Sequence, residues 1–362
     1  MSSPVGRTVS IGVLSSGAGL ALLSALLFGA STPLAKLLLG GIDPWMLAGL
    51  LYLGSGLGLL AVKTLVRVLG SGTRSEAAIR GGGWLWLALA TLSGGVIGPV
   101  LLMAGLAHTA ATTAALLLNL EGVLTALLAW FTFRENFDRR IALGMAAIVA
   151  GGIVLTWGRS LTLSAVLGPL MIAGACLAWA VDNNLTRKVS QADPVQIAIL
   201  KGCVAGVVNV GIAFALGSVL PPLGALGAAV VVGFAGYGVS LVLFVVALRH
   251  IGTARTGAYF SLAPFFGGLV AVLVLREPVT IQIAAAGSLM ALGVWLHLTE
   301  RHEHEHSHEE MAHEHRHVHD QHHQHSHDGT ESPGEPHSHW HVHAGLRHSH
   351  AHFPDIHHRH EH

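Results

Sequence analysis

Residues 105–155 read GLAHTAATTAALLLNLEGVLTALLAWFTFRENFDRRIALGMAAIVAGGIVL, and residues 247–297 read ALRHIGTARTGAYFSLAPFFGGLVAVLVLREPVTIQIAAAGSLMALGVWLH. The second stretch repeats the first without a gap. His108 returns as His250 (250 − 108 = 142), Leu120 as Leu262, and Arg134-Glu135 as Arg276-Glu277. Self-similarity at a fixed offset marks duplication. The repeated unit is greasy, so the duplication concerns a membrane. If each copy holds an odd number of spans, the two copies lie upside down relative to each other. Inverted repeats of this kind build the two access states of many transporters.

Composition agrees with a bilayer setting. The 362 residues are 52% hydrophobic and 11% charged, where a soluble domain carries about 25% charged residues. The 45 glycines suit closely packed membrane helices. Net charge is zero, so no nucleic-acid partner is implied. Cys176 and Cys203 sit in apolar runs and read as small packing residues. No cleavable signal is expected, because the apolar run after Arg7 is long enough to span.

A span needs about 20 mostly apolar residues. Ten such runs are present: Gly17–Leu39, Pro44–Leu69, Gly83–Ala107, Ala110–Phe133, Ile141–Trp157, Ala165–Thr186, Val195–Gly217, Gly224–Leu248, Ala254–Leu275 and Val279–Thr299. With the N-terminus inside, the inner connections hold Lys63, Arg67, Arg74, Arg80, Arg134, Arg139, Arg140, Arg187, Lys188 and Arg249, and the outer ones little beyond Arg159 and Arg276. That bias places both termini in the cytoplasm of a cell whose inner membrane holds the chain. Asp43-Pro44 and Asp193-Pro194 open spans 2 and 7, with Asp as cap and Pro preset for the first helical position. The expected fold is an all-α polytopic membrane protein of ten helices in two inverted five-helix repeats. Its parts are a cytoplasmic N-terminus (1–16), repeats over 17–158 and 164–299, and a disordered His-rich tail over 300–362.

Ionisable groups at membrane depth are costly and mark function. Glu121 is near the middle of span 4, which makes it a candidate carrier of a proton or a partner for substrate. Asn119 is two residues away, on a different face. Asp182-Asn183-Asn184 breaks the apolar pattern of span 6; these residues either line a cavity or meet water beside Arg187. Lys36, near the end of span 1, reads as snorkelling to the interface. Pro33, Pro99 and Pro264 interrupt spans 1, 3 and 9, each freeing a carbonyl that must face protein or a wet cavity. Spans 1, 3, 4, 6 and 9, with span 8 by symmetry, are the expected cavity walls. Trp179, Tyr259, Phe260 and Ser261 stand on those walls, the aromatic residues as packing or as contacts to an organic substrate. Arg134-Glu135 and Arg276-Glu277 read as charge pairs that fix hairpins. Gly54-x-x-x-Gly58 and Gly202-x-x-x-Gly206 mark close helix contacts in spans 2 and 7.

Only His108, His250 and His297 of the 26 histidines precede the tail. The rest recur as His-x-His among acids: His302, His304, His306, His308, His313, His315, His317, His319, His322, His323, His325, His327 and onward. Neutral imidazole ligates Zn, Ni, Co and Cu, so this tract could bind such ions with low specificity. Its composition cannot form a core. His302–His306 matches the zinc-protease string H-E-x-x-H, a chance match in such a tract. No cofactor is required by any motif, and no enzyme fingerprint appears at credible spacing.

The motifs resemble the drug/metabolite transporter superfamily, in particular its EamA-type members. The resemblance rests on Ala107-His108-Thr109-Ala110-Ala111, Leu120–Trp130 and Arg134-Glu135 in the first copy. In the second it rests on Arg249–Ala254, Leu262-Ala263-Pro264-Phe265-Phe266 and Arg276-Glu277-Pro278. It implies a Glu-Pro pair in the fourth helix of each repeat, which this chain divides: Glu121-Gly122 in one copy, Ala263-Pro264 in the other. It further implies secondary transport of a small molecule, such as an amino acid, through a central cavity. The expected partners are lipid, that substrate and protons as coupling ion; a homodimer is compatible with the sequence. Two other readings stay open: a divalent-metal exporter fed by the tail, and a membrane-anchored metal-binding or sensing protein.

Overall fold

The computed structural model describes residues 17–69, 79, 81–133, 139–157, 163–189, 192–299, 303–307, 311–317, 337–343 and 347–351. Ten helices are long and apolar enough to cross a membrane: Gly17–Leu38, Pro44–Val68, Gly83–Ala107, Ala111–Thr132, Arg139–Thr156, Val166–Thr186, Pro194–Ala215, Leu223–Leu248, Arg255–Leu275 and Ile281–Leu298. They are numbered here as spans 1–10. Every boundary falls within two residues of the sequence reading. The caps are as read: Asp43 accepts from Trp45 N at 2.9 Å and Met46 N at 3.3 Å, and Asp193 accepts from Val195 N at 2.8 Å and Gln196 N at 3.2 Å. Asp193 also pairs with Lys63 at 2.9 Å, fastening span 2 to the start of span 7.

The symmetry of the repeats is written in glycine contacts between spans 5 and 10. A methyl group on Gly144 would lie 2.9 Å from Gly293 O, and one on Gly151 would lie 2.9 Å from Ala286 O. Adding the repeat offset turns 144 into 286 and 151 into 293. The contact 144–293 therefore maps onto 286–151, which is the same interface with its members exchanged. Only a two-fold relation between the halves does this. With five spans in each half, that axis lies in the membrane plane and the repeats are inverted. Spans 2 and 7 meet in the same manner, with Gly56 against Gly202. Gly54 and Gly58 instead seat Val230 and Phe234 of span 8.

Irregularities also recur at the repeat offset. Span 4 breaks between Ala111–Leu117 and Leu120–Phe133, and span 9 breaks where the helix Ser240–Phe260, which runs on from span 8, stops ahead of Ala263–Leu275. The unwound residues Leu118-Asn119 and Ser261-Leu262 differ by 143 at each end (261 − 118 = 143; 262 − 119 = 143), one residue from the repeat offset. Span 3 is π-helical over Thr91–Ile97 and span 8 over Phe234–Val239, again in register (239 − 97 = 142). Such wide turns occur mostly at functional sites.

One expectation is corrected. Pro33 does not interrupt span 1, which is continuous helix over Gly17–Leu38. The carbonyl four residues before it, Gly29 O, faces span 9, where a methyl on Gly267 would come within 2.8 Å. Span 4 breaks without any proline. At the break Leu116 O accepts from Asn119 N at 3.1 Å and from Asn119 Nδ2 at 2.9 Å, so the side chain shares a carbonyl that a regular helix would give to the next turn.

The tail's described residues pair as two antiparallel ladders, Glu303–Ser307 with Arg347–Ala351 and Met311–His317 with His337–His343. Alternation of His with other residues has period two, which is the period of a strand.

Candidate functional site

Glu121 stands in the first turn of the second half of span 4, directly after the break. Its Oε1 accepts from Asn183 Nδ2 of span 6 at 2.9 Å. The same amide lies 3.4 Å from Thr125 Oγ1, one turn further along span 4. Glu121 is half-buried and Asn183 exposed. Beside them Gly122 has nothing within 4 Å of the place where a side chain would begin.

Its neighbour is a closed ion pair. Asp182 is 6% exposed, and Lys201 Nζ of span 7 lies 2.6 Å from each of its carboxylate oxygens. Thr186 Oγ1 donates to Asp182 Oδ1 at 2.9 Å. Burying this pair requires span 3 to come close, which Gly94 allows: a methyl there would overlap the Asp182 carboxylate. Glu121, Asp182 and Lys201 are near enough to act on each other electrostatically.

The π-helical turn of span 3 supplies the next wall. Pro99 has no N–H, so carbonyls one turn earlier lose their backbone partner. Gly94 O accepts instead from Tyr52 OH at 2.8 Å and Trp179 Nε1 at 2.9 Å. Gly95 O accepts from Asn209 Nδ2 at 3.0 Å. Side chains from spans 2, 6 and 7 thus converge on one irregular turn. From Tyr52 a series of rings crosses the bundle, with centroids 5.7 Å apart to Tyr237, 5.8 Å on to Phe28, 5.4 Å to Phe260 and 4.9 Å to Phe244. The whole forms an acidic group at one end of an aromatic surface, between the two halves.

A sequence model of the EamA-like transporter family matches residues 15–157 and again residues 166–299. The chain belongs to the EamA-like transporter family. An uncharacterized transporter of Methanothermobacter thermautotrophicus is 31% identical to this EamA chain over 285 residues, 75% of the chain and 83% of that protein. A shorter likeness, 36% over 78 residues, covers 20% of the chain and 62% of a Pseudomonas fluorescens protein named "Probable 4-amino-4-deoxy-L-arabinose-phosphoundecaprenol flippase subunit ArnE". One solved crystal structure shares the fold with a TM-score of 0.57 at 20% identity, covering 78% of this chain and 98% of that one.

In this EamA bundle Glu121, Asp182, Asn183, Trp179 and Pro99 lie on the same cluster of spans 3, 4 and 6. Asn119 serves its own broken turn, as described, and Ser261 Oγ donates to Ala258 O at 2.7 Å at the matching break in span 9. Pro264 opens the second half of span 9, and Pro33 lies against that span. Of the two aromatic candidates there, Phe260 joins the ring series; Tyr259 is half-buried beside it.

Lys36 does more than snorkel: its ammonium donates to Leu106 O and Ala107 O. Glu277 does not pair with its neighbour Arg276 as expected. It accepts from the Ala111 and Thr112 amides of span 4, because free N–H groups at a helix start attract a carboxylate. Arg134-Glu135 lies outside the described residues.

Lys201, Tyr52 and Tyr237 were not singled out from sequence. A lysine seven residues into an otherwise apolar span is the signal that could have found the first. No group of three His, Cys, Asp or Glu residues fit for a metal occurs among the described residues. Of the tail histidines, His302, His308, His319, His322, His323, His325 and His327 lie outside the described residues.

Proposed function

We propose that this protein is a secondary active exporter of a small amine-bearing metabolite, of the amino-acid class, driven by exchange for protons. The observation that carries this reading is the state of Glu121. Asp182 is neutralised by Lys201 at both oxygens, while Glu121 has an amide donor and no ion pair among the described residues. A half-buried carboxylate without a counter-charge takes either a proton or an ammonium group, and not both at once. Mutually exclusive binding of cargo and proton is what couples their opposite movements. The aromatic series offers faces for the apolar part of such a cargo and attracts cations. Rocking of the inverted halves carries the loaded site from one side to the other. The Lys and Arg bias supports an orientation with both termini in the cytoplasm and the protein in the inner membrane.

A metal-exporter reading rests on the tail alone. The bundle's described residues supply no metal-binding cluster, so metal as the cargo is the weaker assignment, and the tail is better suited to holding ions than to passing them on.

The test is a growth screen of a deletion strain against amino acids, toxic analogues and Zn, Ni, Co and Cu salts. Flux of the compound it selects is then measured in proteoliposomes holding the wild-type protein or Glu121→Gln. Loss of flux and of its dependence on a proton gradient supports the proposal. Unchanged flux and unchanged pH dependence in Glu121→Gln remove Glu121 from the mechanism.

A further inference from the structure

One end of the bundle is fastened by charges placed on helix ends. Span 3 finishes and span 4 begins at the turn His108–Ala110. The Glu277 carboxylate receives the first free amides of span 4, Ala111 N at 2.7 Å on Oε1 and Thr112 N at 2.8 Å on Oε2. Lys36 Nζ donates to the last carbonyls of span 3, Leu106 O at 2.5 Å and Ala107 O at 3.2 Å. Each charge has the sign its helix end favours, and the two attract each other. Lys36 belongs to the first repeat and Glu277 to the second, so the same short turn is gripped from both halves.

Beneath this grip, residues 111–117 of span 4 pack on residues 263–275 of span 9, and both pack on span 1. The repeat offset maps that contact onto residues 253–259 against 121–133 at the opposite end (111 + 142 = 253; 263 − 142 = 121). No comparable contact exists there among the described residues. The bundle is closed at the Glu277 end and parted at the other.

The closed end also holds a counterweight. Thr109 Oγ1 and Thr112 Oγ1 are buried there with no hydrogen-bond partner among the described residues. A buried hydroxyl without a partner is unfavourable, and opening this end would hydrate both. Unsatisfied groups set against the grip narrow the free-energy gap between a closed and an open end, as a gate requires.

We propose that Glu277, with Lys36 beside it, is the latch of the closed end. Release of its carboxylate from the Ala111 and Thr112 amides lets that end open while the other shuts. Hydrogen bonds to a charged group are strong enough that losing two of them shifts such an equilibrium by about tenfold or more.

The test uses the full chain in lipid nanodiscs, with Cys176→Ala and Cys203→Ala as background. Spin labels are placed at His108→Cys and Val279→Cys for the Glu277 end, and at His250→Cys and Phe131→Cys for the other. Distances are read by pulsed electron resonance without any cargo, so the result does not depend on the assignment of Glu121. With Glu277 intact, the first pair is short and the second long. In Glu277→Ala the first pair gains a longer population, and the second gains a shorter one, in a ratio shifted about tenfold. Glu277→Gln, which keeps one acceptor oxygen, shifts both less. An unchanged first pair, or broadening of both pairs without the reciprocal change, would overturn the assignment, because simple loss of structure loosens both ends together.

Discussion

Asn183 Nδ2 reaches Glu121 Oε1 at 2.9 Å, and that one amide joins span 6 to the carboxylate that opens the second half of span 4. The contact crosses between the repeats, since span 4 belongs to the first and span 6 to the second. Substituting Asn183→Ala leaves the carboxylate without its donor but keeps its charge. Flux is expected to fall about tenfold, the cost of one hydrogen bond to a charged group, while Asn183→Ser, with a shorter donor, loses less. Initial rates in proteoliposomes check this.

The Asp182–Lys201 pair makes a prediction about stability. Removing one partner of a buried pair leaves an uncompensated charge, at a cost of about 3–5 kcal/mol. Lys201→Met is therefore expected to be strongly destabilised in detergent. The double substitution Lys201→Met with Asp182→Asn should recover most of that loss, because no charge is then stranded. Thermal unfolding of the three proteins, followed side by side, is the measurement. Equal instability of the single and double variants would contradict the electrostatic account.

Gly94 carries the approach of span 3 to the pair. A methyl group there overlaps the Asp182 carboxylate, so Gly94→Ala forces spans 3 and 6 apart or breaks the pair. A loss of about 1–3 kcal/mol follows from overpacking, together with loss of flux. Gly122→Ala is the matched control: open space surrounds that position, and stability should be unchanged within the range of a surface substitution.

Deleting residues 301–362 separates tail from bundle. Binding of Zn or Ni by the purified protein, measured by equilibrium dialysis, is expected to fall to background. Flux of the organic cargo is expected to persist, because no bundle residue of the candidate site lies in the deleted part. Loss of organic flux with retained folding would make the tail part of the transport cycle.

The spans were legible because their signals are local. A run of apolar residues, an Asp-Pro start and a Lys or Arg at the inner end need no tertiary information. Glu121 was legible for a related reason: a carboxyl at membrane depth contrasts with everything around it. The break in span 4 was not, since the sequence offers no proline there and an asparagine on an apolar helix has several uses. Lys201 hid because its partner is Asp182, nineteen residues back on another span. Glu277 was misassigned for the same reason. Its neighbour Arg276 is adjacent in sequence, whereas the amides it binds lie 166 and 165 residues away.

Everything above depends on the inversion of the two halves, and His108 and His250 report on it directly. They are equivalent by the repeat offset, and both are exposed, His108 at a turn and His250 within the helix Ser240–Phe260. Single cysteines at His108→Cys and His250→Cys, in the background without native cysteines, are treated with a membrane-impermeant maleimide in intact cells and in inverted vesicles. Opposite labelling is predicted, with one position reacting only in cells and the other only in vesicles. Labelling of both positions from the same side would contradict the inverted-repeat architecture.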